Sequence, residues 1–496
     1  MAEADALARP DLAWRWLAVI AGSLATLLLA FAARYGYHRD ELYFIAIGGH
    51  PAWGYADQPP LVPLAAHAID AVSGHSLFWL RVLPALAAAV VVVVTGLIAR
   101  EFGGGTLEQV LAAGAMAASG VLIGASHLMS TTPFDVLGWT ILLWLVIRAV
   151  RGDERAWLAA GLVAGIALEI KTLPAFLLFA LLVGLLVCGP RSVFQSRWMW
   201  AGVVLALALW TPNLIWQATH DWPQLHLANS IAAGNSGSSE PRWRLIPDQF
   251  LIMGPPLAPV WIAGLWRLAR HPALRRWRFL AAAYGVLVIV FLATGGKPYY
   301  LAGIYPVLFA AGAGPVLDWV RRGAGRGRTL IIVAAVSAAV SVVVALPIVP
   351  ADDLHDTPVP AMNYDAGEQL GWPRFAATVD DAYDSLPPAG RSSTVVLTGN
   401  YGEAGAVLRY APDIPHVYSG HNALWDYGPP PATTTTVLAI GYPISDLHTW
   451  FEHMRPVGRI DDGLNLDNDE QGRHLWLCSG PTGSWSTLWP KMRNLG

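Results

Sequence analysis

The stretch HRDELYFIAIGGHPAWGYADQPPL, residues 38–61, decides how this chain is read. It follows a long apolar run by a few residues. Asp40 and Glu41 stand at one end and Asp57 near the other, with Tyr43, Phe44, Trp53 and Tyr55 between them. Amphipathic rings favour a membrane–water interface, so the aromatic middle predicts a segment lying at the membrane surface with its acids beside the bilayer. The plain alternative is an interfacial helix whose acids point to water. That does not explain carboxylates at both ends of an otherwise apolar segment. The prolines of QPPL then start the chain back towards the bilayer.

The surrounding composition agrees with a membrane setting. Of 496 residues, 54% are hydrophobic and 14% charged, where soluble domains carry about 25% charged residues; the mean hydropathy is +0.43. A net charge of −3 gives no basic excess, which argues against a nucleic-acid partner. Cys188 and Cys478 imply no disulfide framework. A spanning helix needs about 20 apolar residues, and windows near 13–33, 79–99, 107–124, 133–150, 156–170, 173–189, 198–216, 250–267, 279–295, 298–318 and 329–350 predict about eleven spans. Basic residues resist translocation. With the N-terminus cytoplasmic, seventeen basic residues fall inside and seven outside: Arg34, Arg39, Arg81, Lys171, Arg242, Arg244 and Lys297. The run LLLAFAAR could pass for a signal-peptide cleavage site, but the apolar core from Trp16 to Ala33 is longer than a signal needs. It is read as an uncleaved helix.

The fold expected is therefore a polytopic α-helical membrane domain over 1–350, whose first outer loop (34–78) carries the acids, followed by an extracytoplasmic α/β domain over 351–496. In that tail, strand and helix signals alternate through TVVLTG, GEAGAVLRYA, TTVLAIG, ISDLHTWFEHM and HLWLCSG. The location expected is the cytoplasmic membrane, with several passes.

Further polar residues gather at the predicted outer ends of the apolar runs. Asp135 in TTPFDVLGW needs a partner or a cavity, because an ionisable group within a membrane helix is costly. Lys171 and Lys297 stand at comparable depth and could hold an anion such as phosphate. Snorkelling lysines and intramembrane ion pairs are the bland account. His220, Asp221 and His226 could bind a divalent metal, though their spacing fits no fixed motif. GNYGEAG (399–405) faintly resembles a phosphate loop, but its spacing is wrong and a tight turn with a helix cap explains it better. VYSGHNALWDYG offers His421, Asn422, Trp425 and Asp426 as a carbohydrate-facing surface.

The run RDELYF…WGYADQPPL, with TTPFDVLGW, ALEIKTLPAF, NLIWQATHDWP and GGKPYYLAGIYP, resembles bacterial members of glycosyltransferase family 39. These are polytopic GT-C enzymes related to protein O-mannosyltransferases and the lipid A aminoarabinose transferase. The likeness covers roughly residues 30–320, and the tail from NYGEAGAVLRY to CSGP looks like the outer domain of bacterial homologues. The resemblance implies a GT-C-like fold and transfer of a hexosyl or pentosyl group from a polyprenyl-phosphate sugar, on the outer face, to a glycan, glycolipid or protein hydroxyl. By position, Asp40 would be the general base and Glu41 its neighbour. Asp57 matches a carboxylate that in relatives sits by a metal or orients the site, and Asp135 resembles the second acid. Lys171 and Lys297 would meet the donor phosphate. Gln58 stands where aminoarabinose-type relatives have lysine, which removes one phosphate-binding cation and leaves their specificity untransferred. Gln58, His220, His226 and His421 are candidate acceptor or metal contacts; a divalent metal ion is the only cofactor suggested.

The residues give the same chemistry a reason. An acceptor hydroxyl is a weak nucleophile until a carboxylate takes its proton, and cations stabilise the departing phosphate. One base with direct displacement predicts inversion at the anomeric carbon. A transporter or flippase of a lipid-linked sugar is the rival; it predicts broken helices near midplane and related halves, neither of which the sequence shows clearly. A non-catalytic glycolipid sensor is a second rival.

Overall fold

The computed structural model describes residues 9–236, 239–391 and 393–496. The first eight residues, read above as cytoplasmic, lie outside that range. The chain forms two compact units. One holds the chain up to Ala32 together with Arg81–Leu346, and the other holds Ala33–Leu80 with Pro347–Gly496. The stretch 34–78, read above as an outer loop of the membrane domain, belongs to the second unit.

In the first unit, each of the eleven apolar windows lies on a helix or a broken pair of helices. Six are long and apolar enough to cross a membrane: Trp14–Phe31, Leu77–Glu101, Thr131–Arg151, Arg197–Thr219, Pro298–Arg321 and Arg326–Ala345. Two more are pairs bent at a break, Thr106–Ala117 with Gly120–His127 at 55° and Arg242–Met253 with Pro255–Arg270 at 89°. The remaining windows form Ala156–Leu168, Leu173–Cys188 and Phe279–Thr294, of 13, 16 and 16 residues. By length and composition this gives six spans among the described residues, or eight with the bent pairs, where the sequence suggests eleven. The chain is a multi-pass membrane protein.

The broken helices are a correction to the sequence reading. Gly254 takes φ +95°, and Pro255 and Pro256 supply no N–H to continue the ladder. Ser337 and Ser341 are the buried residues of Arg326–Ala345; they stand against Gly254 and Gly120, and Gly120 also packs on the Ile252 carbonyl. The two breaks thus cover one another. Irregular backbone at membrane depth persists only where protein or a cavity takes its polar groups. Where the chain leaves and re-enters this unit, the buried Arg81 donates through Nη1 to the Ala32 carbonyl at 2.8 Å.

The second unit is built on a five-stranded sheet. Its strands are β1 (Thr394–Thr398), β2 (Val417–Ser419), β3 (Thr436–Ile440), β4 (Phe451–Arg459) and β5 (His474–Pro481), in the order β2-β1-β3-β5-β4. The β2, β1 and β3 strands run parallel, and β5 and β4 continue antiparallel. TVVLT is buried along its whole length, as a strand covered on both faces must be. The edge strand β4 carries Arg455, Pro456 and Arg459 outward and an irregularity between Pro456 and Gly458, devices that blunt an edge against further pairing. The sequence reading runs ISDLHTWFEHM together; the structure divides it into a helix, Ile444–Trp450, followed at once by β4.

Two short helices of this unit position its acids. Arg39–Gly48 begins with a capping box, in which the Glu41 carboxylate accepts from the His38 N–H at 2.8 Å and the His38 ring accepts from the Asp40 N–H. Tyr401–Tyr410 begins with a second box, formed by Asn400 and Glu403. The two helices pack closely. A Cβ on Gly402 would lie 2.9 Å from the Arg39 Cβ, and one on Gly405 would lie 2.8 Å from the Leu42 Cβ.

Candidate functional site

The close approach of these helices brings Tyr401 to Asp40. The Tyr401 hydroxyl donates to Asp40 Oδ1 at 2.8 Å and accepts from Arg39 Nε at 3.1 Å. Arg39 is anchored at its other end, where Nη1 donates to Glu368 at 3.2 Å and Asp469 at 3.4 Å. The Tyr401 ring lies 4.6 Å from that of Tyr43 and 4.9 Å from that of His421, centroid to centroid. Tyr43 in turn donates to Asp57 Oδ1 at 2.7 Å and accepts from the Ala423 N–H at 3.1 Å. Asp40 and Asp57 are therefore joined through a pair of tyrosines whose rings meet at a tilt of 35°, each holding one carboxylate.

Burial pushes the Asp57 carboxyl up to about 7; the charges of Asp40 and Asp426 add to the rise, and the Tyr43 hydrogen bond opposes it. Glu41, fully buried, serves its helix N-terminus. Gln58 is buried, its backbone carbonyl accepting from the Tyr55 N–H at 2.9 Å, while its side-chain nitrogen has no hydrogen-bond partner among the described residues. His421 is buried with both ring nitrogens unpartnered among the described residues, and burial pulls its pKa down to about 3, so it is neutral.

Asn422 and Trp425 of the expected surface have structural work. Asn422 accepts from the Gly496 N–H, and Trp425 exchanges indole-to-carbonyl hydrogen bonds with Trp489 while the Arg493 guanidinium covers its ring at 4.4 Å. In GNYGEAG, the N–H groups of Gly399 and Asn400 donate to Glu403, and the Glu403 N–H donates to Asn400. The turn-and-cap reading of that segment holds.

Asp135, Lys171 and Lys297 belong to the first unit. Asp135 lies one turn into Thr131–Arg151, which opens on Ser130 accepting from the Thr132 N–H. It is 4% exposed, and the Lys171 charge is near enough to act on its carboxylate. Lys171 follows the helix Ala156–Leu168; its ammonium lies 3.4 Å from Thr132 Oγ1, 5.0 Å from the Tyr299 ring centre and 5.7 Å from that of Tyr300. Lys297 opens the 3₁₀ segment Pro298–Ile304 that carries both tyrosines. An ammonium held over two rings beside a carboxylate is a fixed cation at a helix end.

His220 and His226 belong to the first unit. His220 donates to the Trp216 carbonyl at 2.8 Å and stacks on its indole at 4.1 Å, while His226 pairs with Asp221 at 3.4 Å; all are exposed. Among the described residues, no group of three or more His, Cys, Asp and Glu is arranged to hold a metal ion. Tyr401 and Tyr43 are the site residues that the sequence reading did not single out for a role. The paired glycines 402 and 405, one helical turn apart, were the available sign of a close helix contact.

Residues 57–216 match the family model described as dolichyl-phosphate-mannose-protein mannosyltransferase. In fold, the chain is similar to ArnT from Cupriavidus metallidurans bound to undecaprenyl phosphate, with a TM-score of 0.62 at 15% identity over 93% of this chain and 98% of that one. The apo state of the same protein matches with a TM-score of 0.59 at 15% identity, over 94% and 98%. The archaeal oligosaccharyltransferase AglB from Archaeoglobus fulgidus, in complex with an inhibitory peptide and a dolichol-phosphate, matches with a TM-score of 0.51 at 12% identity, over 86% and 69%. No curated protein matches the chain in sequence. With a family-model match over residues 57–216, about a third of its length, and a fold similar to that of ArnT over nearly its whole length, the chain is a membrane protein with an ArnT-like fold.

Proposed function

We propose that the protein is a glycosyltransferase that moves a sugar from a polyprenyl phosphate to an acceptor hydroxyl at the extracytoplasmic face of the cytoplasmic membrane. The observation that carries this reading is Asp40, a carboxylate fixed by Tyr401, in a chain whose fold is that of a protein seen with undecaprenyl phosphate bound. Asp40 takes the proton of the acceptor hydroxyl as its oxygen attacks the anomeric carbon. The bond from that carbon to the phosphate oxygen breaks, and its electron pair stays on the departing phosphate; Lys171 and Lys297 are the candidate phosphate-binding cations of the first unit. Asp57, near neutrality, tunes the charge around Asp40. Direct displacement by one hydroxyl inverts the anomeric centre. Among the described residues no three His, Cys, Asp or Glu gather to hold a metal ion, and the steps above use only the chain's own side chains. The acceptor is a hydroxyl of a glycan, glycolipid or protein.

The test uses membranes containing the native chain or Asp40→Asn and a panel of radiolabelled polyprenyl-phosphate sugars. Label reaching a glycan, lipid or protein with the native chain alone supports the transferase. Labelled lipid crossing the bilayer equally well with both chains, and no transfer, means a carrier. Inversion is read from the product's anomeric configuration by NMR; trapping a covalent glycosyl-enzyme would sink it.

A further inference from the structure

We propose that Tyr401 is the positioning residue for Asp40, so that the C-terminal part of the chain completes the reaction centre as well as contributing to acceptor choice. This rests on the reading of Asp40 as the base. The direction of the hydrogen bonds carries it. Arg39 Nε can only donate, and it occupies a lone pair of the Tyr401 oxygen at 3.1 Å. The single proton of that oxygen is thereby left for Asp40 Oδ1, at 2.8 Å. Arg39 itself cannot swing away without leaving Glu368, which is 1% exposed.

The Tyr401 ring is held as firmly as its hydroxyl. It lies beside Tyr43 and His421 and beneath the Arg39 guanidinium, 4.9 Å from the ring centre. Gly402 and Gly405 keep its helix too close to Arg39–Gly48 for any side chain to intervene. One oxygen of the base is thus committed to Tyr401, which leaves Oδ2 to face the acceptor hydroxyl in a fixed rotamer. A carboxylate free to rotate would meet that hydroxyl only part of the time, and misplacing a catalytic group by about 1 Å costs on the order of 100-fold in rate.

The experiment compares full-length native chain, Tyr401→Phe, Asp40→Asn and the double variant, with the donor identified as active for the native chain. Phenylalanine keeps the ring and removes the hydroxyl. The expected result is a fall in kcat of about 10- to 100-fold with the donor KM within about twofold, and no further loss when Tyr401→Phe is added to Asp40→Asn. Native-like turnover in Tyr401→Phe overturns the proposal and leaves the transferase standing. A matched loss of kcat and donor affinity, or an equal cost with and without the Asp40 carboxylate, makes Tyr401 merely structural and overturns it as well. No transfer by the native chain from any donor removes the transferase reading and this proposal together.

Discussion

At Asp57 the fold holds a carboxylic acid near neutrality, which sets the sign of its effect on stability. Its folded pKa of about 7 lies above the ordinary 3.8, so between these values the folded chain keeps a proton that the unfolded chain has released. Stability from this group is full below about pH 4, declines as pH rises and is lost above about 7. Asp57→Asn retains an acceptor for Tyr43 without the charge. Its midpoint of thermal unfolding in detergent is expected to exceed the native value at pH 8, with the difference closing towards pH 4. Lys171→Met tests the cation on the donor side: a charged hydrogen bond contributes about 1.5–3 kcal/mol, so donor KM should rise about 10- to 100-fold. An unchanged KM would remove Lys171 from phosphate binding. At this scale the acids were legible because carboxylates beside an apolar run demand an explanation. Tyr401 was not, because a tyrosine at a helix start carries no sign of what it faces, and its partner Asp40 is 361 positions away.

Among elements, the contact between Arg39–Gly48 and Tyr401–Tyr410 is the one on which the site depends. Gly405→Val would drive a branched side chain into Leu42. Overpacking costs about 1–3 kcal/mol, so a lower unfolding midpoint and a loss of turnover are expected together; native values for both would show that the helices can part without consequence. Helices were the most legible elements, since apolar length alone located every window. The breaks were less so: GPP at 254–256 is a local signal, whereas the break before Gly120 is supported by side chains from another helix. The strand VYS was hidden for a related reason. Three residues are too few to show a period, and β2 exists because β1 offers it a parallel edge.

For the whole molecule, the excess of basic residues on one side predicts where each end lies. Ser484→Cys is expected to react with a membrane-impermeant maleimide in intact spheroplasts, and Arg322→Cys only after lysis; the reverse pattern would turn the topology over. The native Cys478 should stay silent, being buried with its thiol pushed up to about 12. The two-unit division was not legible as drawn, because the sequence gives the connectivity of 34–78 and not its allegiance. That the stretch from Ala33 to Leu80 joins Pro347–Gly496 in one unit has a consequence in time. Ribosomes add about 5–20 residues per second, so the 361 positions between Asp40 and Tyr401 take on the order of 20–70 s to synthesise. Throughout that interval the nascent carboxylate waits without its tyrosine. A stalled or prematurely released chain would carry the acids and the spans and yet lack Tyr401, so, if Asp40 is the base as proposed, catalytic competence arrives only when translation is nearly finished.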